Sequence, residues 1–449
     1  MNEWTDPQTR VDRAHDLYKE GRWTEAADEL REAIRLNPHN ASWHFNLGLT
    51  LEAMGEYPDA CKAFEAALQL QPEDVETLNC LGVNLTRTSE YAEALACFRK
   101  VEAIDPAYEP SYCNRIITYT EIGEHDEAEV MFYTARLFTE ECPLCYYNMG
   151  NSFYVREEYQ RAAYCWEQTL RIDPGHPGAH ARLAELAWRD GELAKAKNHY
   201  QAELLINATD VGVLADLGEL LIEMDDLDGA GEILKRAREL DADHVDVVYQ
   251  HGRLLTRREQ YHDALDCFGR VLEMEDDYRG AHAGMARALI RLERVNDGAK
   301  HLVYELKTCK DDARMLHEVG ELLIEAHLTR HAHNVFERLV KLNPDDAYAR
   351  HNLAVSCFML EKIDDGIEQC RAAIRIKPDY SLAMYNLALA YHKRGQSARA
   401  RRYASKALEL NPDDEHVQKL ARRLGGGEGV LGRIVARLTG RDDDDRIRS

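Results

Sequence analysis

The chain has 449 residues, 45% of them hydrophobic and 30% charged, which is the balance of a folded protein. Fifty-six basic against eighty acidic residues leave a formal charge of -24. Such a charge repels a phosphate backbone and forfeits counterion release, so nucleic acid is not an expected partner. No stretch approaches the ~18 apolar residues of a membrane span, and Met1 to Arg10 carries Glu3 and Asp6 in place of the apolar core of a signal peptide. The eleven cysteines are odd in number and scattered, as reduced thiols are. A cytoplasmic protein is expected.

Residues 1–6 form a short N-terminal extension, and from Pro7 to residue 414 the chain repeats every 34 residues. Asn37-Pro38, Gln71-Pro72, Asp105-Pro106, Asp173-Pro174, Asn343-Pro344, Lys377-Pro378 and Asn411-Pro412 share one register. Proline cannot continue a helix, so each marks the end of a unit. Where it is missing the beat still falls, on Glu140, Ala208, Ala242, Asp276 and Lys310. Counting twelve units from Pro7, Ala41, Val75, Glu109, Pro143, Pro177, Val211, Val245, Arg279, Ala313, Ala347 and Ser381, the twentieth residue is Ala or Gly throughout, from Ala26 to Ala400. The eighth is also Ala or Gly, with Ile116 of the fourth unit as the exception.

Two antiparallel helices approach closely only where one presents almost no side chain, and large residues around that contact fill the space. Phe64, Phe98, Phe132, Trp166, Tyr200, Phe268 and Phe336, each four residues after the small one, are suited to that filling. Gly21, Gly55, Gly123, Gly191 and Gly395 are placed for a left-handed turn between helices. Ile116 and the poorly marked ninth and tenth units are candidate bends. Residues 414–424 read as a capping helix over the apolar flank of the last unit, 425–429 as a Gly-rich linker, and 430–449 as a short amphipathic tail able to dock.

Period, small residues, turn glycine, aromatic and closing proline together resemble the tetratricopeptide repeat. The resemblance covers residues 7 to 414 and implies an all-α fold, helix hairpins stacked into a right-handed superhelical solenoid. It also implies a concave groove, lined by the first helix of each pair, that binds peptides or protein segments.

The repeats leave little room for a second core, and no phosphate loop, dinucleotide fingerprint, zinc-protease helix or nucleophile elbow is present, so no enzyme and no cofactor are expected. Cys142-Pro143-Leu144-Cys145 has the spacing of a redox pair or half a zinc site, but without a second such pair a plain tight joint is the expectation, and no metal. His327, His331 and His333 read as solvated helix surface.

Groove candidates follow from positions that recur on the first helices. Units two to five offer Phe45, Asn46, Leu49, Asn79, Val83, Asn114, Ile117, Tyr147, Asn148, Asn151 and Tyr154, nearly uncharged and rich in amides. Asparagine carries donors and an acceptor, so a ladder of it can pair with the backbone of an extended peptide of any sequence. In the middle, charge alternates in blocks: Arg182, Glu185 and Arg189, then Asp216, Glu219 and Glu223, then Arg253, Arg257, Arg287 and Arg291, then Glu318, Glu321 and Glu325. Pairing between neighbouring blocks and recognition of a ligand are both open. Tyr348, Asn352, Phe358, Tyr385, Asn386 and Leu389 follow.

The recurring Asn46, Asn114, Asn148, Asn352 and Asn386 resemble the ladder in the repeats of the O-linked N-acetylglucosamine transferases, whose catalytic domain is absent; the lysine-and-asparagine clamp of chaperone-tail binders is absent too. The expected function is a protein-interaction scaffold or adaptor holding an extended peptide segment in the groove. The alternative is an assembly subunit packing against folded partners or itself.

Overall fold

The structure, a computed structural model, describes residues 6–138 and 141–424. Residues 1–5, Glu140, the expected linker at 425–429 and the tail at 430–449 lie outside the described residues. The chain divides into two compact units, Met1–Val213 and Leu214–Ser449. Every described regular element is a helix, and the helices pack as antiparallel pairs in tandem.

In the first unit the pairs are α1 (Pro7–Lys19) with α2 (Trp23–Leu36), α3 (Ala41–Ala53) with α4 (Tyr57–Leu70), and α5 (Val75–Arg87) with α6 (Tyr91–Ile104). They continue with α7 (Glu109–Ile122) and α8 (His125–Ala135), α9 (Pro143–Val155) and α10 (Tyr159–Ile172), and α11 (Ala179–Arg189) and α12 (Leu193–Ile206). The division falls near the start of α13 (Val211–Glu223), which precedes α14 (Leu227–Leu240). The second unit then holds α15 (Val245–Arg257) with α16 (Tyr261–Met274), α17 (Ala281–Arg291) with α18 (Val295–Thr308), and α19 (Ala313–Glu325) with α20 (Thr329–Leu342). It closes with α21 (Ala347–Met359) and α22 (Ile363–Ile376), α23 (Ser381–Lys393) and α24 (Ser397–Leu410), and α25 (Glu415–Leu424). Asp414 accepts from the backbone N–H of His416 and Val417, and α25 buries Val417, Leu420 and Ala421.

Each hairpin turn is built the same way. Its central residue is left-handed and closes the first helix with two backbone bonds, as in Gly21 N–H to Tyr18 and Arg22 N–H to Leu17, or Glu259 N–H to Thr256 and Gln260 N–H to Leu255. Five such residues are the expected glycines; the same place is taken by Ser89, Glu157, Asp225, Glu259, Glu293, His327 and Glu361, all at positive φ.

The small eighth residues do what close packing demands. A Cβ added to Gly48 would lie 2.5 Å from the Phe64 ring, and one on Gly150 would lie 2.5 Å from Trp166 Nε1. Phe64 and Trp166 are fully buried, and each such side chain stabilises its hairpin by roughly 1.5–3 kcal/mol.

Three joints depart from the repeat. The α8 helix stops at Ala135, although its partner helix in the fourth unit carries the bulky Ile116, which is itself fully buried. In the sixth and ninth units the first helix begins at Ala179 and Ala281, two residues after the Pro177 and Arg279 expected from the period. The cause is a left-handed glycine, Gly178 and Gly280, held by a buried glutamate from the second helix of the same hairpin. Gly178 N–H donates to Glu203 at 2.6 Å and Ala181 N–H at 3.2 Å. Gly280 and Ala283 donate to Glu305 at 3.2 and 3.0 Å. These carboxylates satisfy donors that a helix start otherwise leaves open. Burial pushes the Glu305 carboxyl up, against the pull of its two backbone donors.

Candidate functional site

The 34-residue period places the candidate residues on corresponding turns of successive first helices. In the first unit Phe45, Asn46 and Leu49 of α3 are half-buried, and Phe45 tilts on Phe64 with ring centroids 5.8 Å apart. Asn79 of α5 is buried, and its Oδ1 accepts from Asn114 Nδ2 of α7 at 3.0 Å. Between the same two helices the hydroxyls of Thr86 and Thr118 meet at 2.8 Å. On α9, Tyr147 is half-buried and lies 4.7 Å from the His176 ring, while Asn151 Oδ1 accepts from Trp166 Nε1 at 3.2 Å. Asn148 is only 7% exposed, and its Nδ2 has no hydrogen-bond partner among the described residues.

The amides are thus more deeply set than groove-facing residues need to be. Asn114 and Asn79 are tied to each other, and Asn151 serves the Trp166 indole, whereas Asn148 keeps a buried donor unused. An unmet buried donor costs about 1–3 kcal/mol.

In the second unit the candidate arginines face acids one hairpin away. Arg253 pairs with Glu219 at 2.6 Å, Arg257 with Asp225 at 2.7 Å, Arg287 with Glu318 at 2.9 Å and Arg291 with Glu325 at 2.9 Å. Burial pulls the Arg253 pKa down, but the charge and hydrogen bond of Glu219, with Tyr249 and Glu318, together outweigh it and hold the guanidinium above its ordinary value. Arg253 also lines an open cleft of about 590 Å³, with Asp216, Glu219, Asp246, Tyr249, Tyr278 and Glu318 among its walls. Tyr278 Oη donates to Asp246 at 2.6 Å across this cleft. Tyr249 and Tyr278 were not among the sequence candidates, because their role depends on the α15–α17 joint.

Further along, Tyr348 is exposed, lies 5.2 Å from the Tyr380 ring and accepts from Lys377 Nζ at 2.7 Å. Asn386 Nδ2 donates to His351 Nε2 at 2.9 Å. That bond requires a neutral ring, and burial accordingly lowers the His351 pKa, with an Asn352 hydrogen bond opposing it. Asn352 and Tyr385 are half-buried.

The three histidines near residue 330 do not act together. His327 is a turn residue at positive φ, and His333 is buried, 3.1 Å from Ser356 Oγ. The Cys142 and Cys145 pair, by contrast, gains a third member. Cys113 of α7 lies 2.7 Å from Cys145 and 3.5 Å from Cys142, sulfur to sulfur, and Cys142 Sγ accepts the Cys145 N–H at 3.1 Å. Hydrogen bonds from Cys113 and Cys145 pull the Cys142 thiol down, and the same contact with Cys142 pushes Cys113 up. No described helix is long and apolar enough to cross a membrane.

Sequence profiles of the tetratricopeptide repeat match residues 11–74, 48–109 and 320–381, a second such profile matches 381–414, and a third matches 143–176. Among curated relatives, the Inactive TPR repeat-containing thioredoxin TTL3 of Arabidopsis thaliana is 30% identical over 87 residues, 19% of this chain and 12% of that protein. The TPR repeat-containing thioredoxin TTL4 of the same plant is 23% identical over 139 residues, 28% of this chain and 20% of that protein. The matched stretches therefore span a fifth or less of these relatives. Among solved structures, the APC/C hetero-tetramer Cut9-Hcn1 aligns with a TM-score of 0.48 at 13% identity, covering 94% of this chain and 99% of that one. Yeast Tom70 gives 0.44 at 13% identity, with 97% of each chain covered. YrrB, a TPR protein with an unusual peptide-binding site, gives 0.35 at 19% identity, covering 41% of this chain and 96% of that one. With profiles of one repeat matching in both compact units and helix pairs in tandem throughout the described residues, the chain belongs to the tetratricopeptide repeat family.

Proposed function

We propose that the chain is a protein-interaction scaffold that holds an extended peptide segment on the first-helix face of its first unit. The observation that carries this reading is the uncharged row Phe45, Asn46, Asn79, Asn114, Tyr147 and Asn148, with the Asn148 donor unused. Amides pair with a peptide backbone whatever its side chains, and the neighbouring rings add apolar contact. The net charge of -24 favours neutral or basic segments and disfavours nucleic acid. The arginine blocks are assigned no ligand, since their charges are met within the chain. No catalytic role is proposed, and an intracellular adaptor in the cytoplasm is the setting that suits the reading.

The test is binding of the full chain to a random peptide library, repeated with Asn114→Ala/Asn148→Ala. Each lost amide pairing is worth about 1 kcal/mol, so selected peptides should bind the double variant roughly tenfold more weakly or worse. The variant should still fold, with a small loss of stability because Asn79 loses its Asn114 donor. Unchanged peptide affinity would sink the reading.

One observation favours a second reading, docking of a folded partner or a second copy on the outer helices. Val130 and Tyr133 of α8 are each 51% exposed, and Leu137 and Phe138 in the turn after it are 81% and 49% exposed. Large apolar side chains exposed in this number over nine residues commonly mark an interface. Loss of partner binding in Tyr133→Glu/Leu137→Glu, with the asparagine variant unaffected, would select this reading.

A further inference from the structure

We propose that Cys113, Cys142 and Cys145, completed by the carboxylate of Glu109, form a binding site for one zinc ion at the joint between α7 and α9. The three sulfurs lie within 4.8 Å of one another, and the residues are 1%, 2% and 0% exposed. Among the described residues this is the one cluster of three or more metal-ligating side chains that converge at such range. Glu109, in the first turn of α7, is half-buried and next to Cys142, outside the three-sulfur set, so that its carboxylate would swing in to complete the site.

A tight apolar joint does not account for this arrangement. Cysteine packs as a small hydrophobe when its sulfur meets carbon, yet here the sulfurs face each other at 2.7 and 3.5 Å. Thiolates select soft cations, and three sulfurs with one carboxylate make the tetrahedral set that suits zinc. Zn–S bonds of about 2.3 Å require sulfurs about 3.8 Å apart, which small side-chain rotations supply. Binding would release the thiol protons to solvent.

The place also explains the use. The joint follows the shortened α8 and the bulky Ile116, and it lacks the proline that closes most units. A metal held by two residues of α7, the N-cap of α9 and the first turn of α9 would fasten the fourth hairpin to the fifth.

The experiment is titration of the full chain, reduced and stripped of metal, with cobalt(II) as a spectroscopic probe, followed by displacement with zinc. The expected result is one equivalent per chain, a thiolate-to-cobalt charge-transfer band that zinc abolishes, and a thermal midpoint that rises with zinc. Cys113→Ser and Cys142→Ser should each weaken zinc by about 100-fold or more, and Glu109→Gln by about tenfold with the thiolate band kept, while Cys370→Ser, buried elsewhere, should bind as wild type. Should a cysteine variant fail to fold, the wild-type titration and Glu109→Gln still decide the matter. A reduced wild-type chain with no thiolate band overturns the proposal. So does a band undiminished in a folded Cys113→Ser, or uptake of copper(I) without zinc. Unchanged zinc affinity in Glu109→Gln overturns the assignment of the fourth ligand.

Discussion

The two compact units use one repeat with different chemistry on their first helices. In the first, Asn79, Asn114 and Asn148 make an uncharged row, with one amide bonded to the next and one donor unused. In the second, Arg253, Arg257, Arg287 and Arg291 meet Glu219, Asp225, Glu318 and Glu325. The turns differ as well. Of the six left-handed turn residues in each unit, four are glycine in the first (Gly21, Gly55, Gly123, Gly191) and one in the second (Gly395). The repeat therefore constrains the helix-on-helix contact strictly, while leaving the exposed face and the turn residue to vary. Where the face is self-satisfied by ion pairs it has less to offer a ligand, and where amides are unmet it has more.

The largest effect should come from breaking the packing that both units share. Trp166 is fully buried in the first unit and Phe336 in the second. Truncating either to alanine should cost about 3–5 kcal/mol. Because repeat hairpins are stabilised by their neighbours, hydrogen exchange should accelerate around α9 and α10 in Trp166→Ala and around α19 and α20 in Phe336→Ala. Uniform acceleration along the chain in either variant would contradict this.

A fall in pH should separate the units next. Burial lowers the pKa of His180 and His199 in the first unit, and of His251, His282, His301, His333 and His351 in the second. A histidine whose folded pKa lies below its unfolded value binds fewer protons when folded, so its stability is full above about pH 6.5 and is lost as pH falls through the folded value. Urea unfolding followed by hydrogen exchange at pH 7.5 and about pH 5.5 should show the second unit losing more protection. Replacing His282 and His301, whose rings meet at 2.8 Å between Nδ1 atoms, by glutamine should flatten that difference. An equal loss in both units would contradict the assignment.

How much of this was legible in the sequence depended on distance along the chain. Prolines, small residues and aromatics declared the hairpins because each acts within its own unit. The partners across hairpins were hidden: Asn114 and Asn79, Asn386 and His351, and Arg253 and Glu219 are 34 or 35 residues apart, and Cys113 is 32 from Cys145. Searching one period away from the Cys142-Cys145 pair is the signal that would have found Cys113. Glu203 and Glu305 are indistinguishable in the sequence from ordinary charged residues, since only the late start of the first helix of the same hairpin, at Gly178 and Gly280, turns them into buried caps.

A smaller effect should sharpen the contrast in faces. The Arg253–Glu219 pair is only 27% and 22% exposed, whereas Arg257 and Asp225 are 48% and 73% exposed. Double-mutant cycles on urea unfolding should give a coupling of about 1 kcal/mol for the first pair and close to zero for the second, with only the second screened away by salt. Equal couplings would mean that burial does not set the strength of these pairs.

The smallest effect concerns the turns. Glu259, Glu293 and Glu361 sit at φ of 60°, 62° and 61°, a region that costs a residue with a Cβ roughly 1–2 kcal/mol. Glycine removes that cost but widens the unfolded ensemble by about 0.5–1 kcal/mol. Each glutamate-to-glycine change in the second unit should therefore stabilise by a few tenths to about 1 kcal/mol, and the three together should raise the urea midpoint measurably. The reciprocal change in the first unit, Gly191→Ala at φ 79°, should destabilise by about 1 kcal/mol, even though nothing lies within 4 Å of an added Cβ there. Space is thus ruled out as the cause, and only backbone conformation is left. If Glu259→Gly, Glu293→Gly and Glu361→Gly all destabilise, those side chains contribute more than the turn geometry costs, and the contrast between the two units' turns is one of composition without energetic consequence.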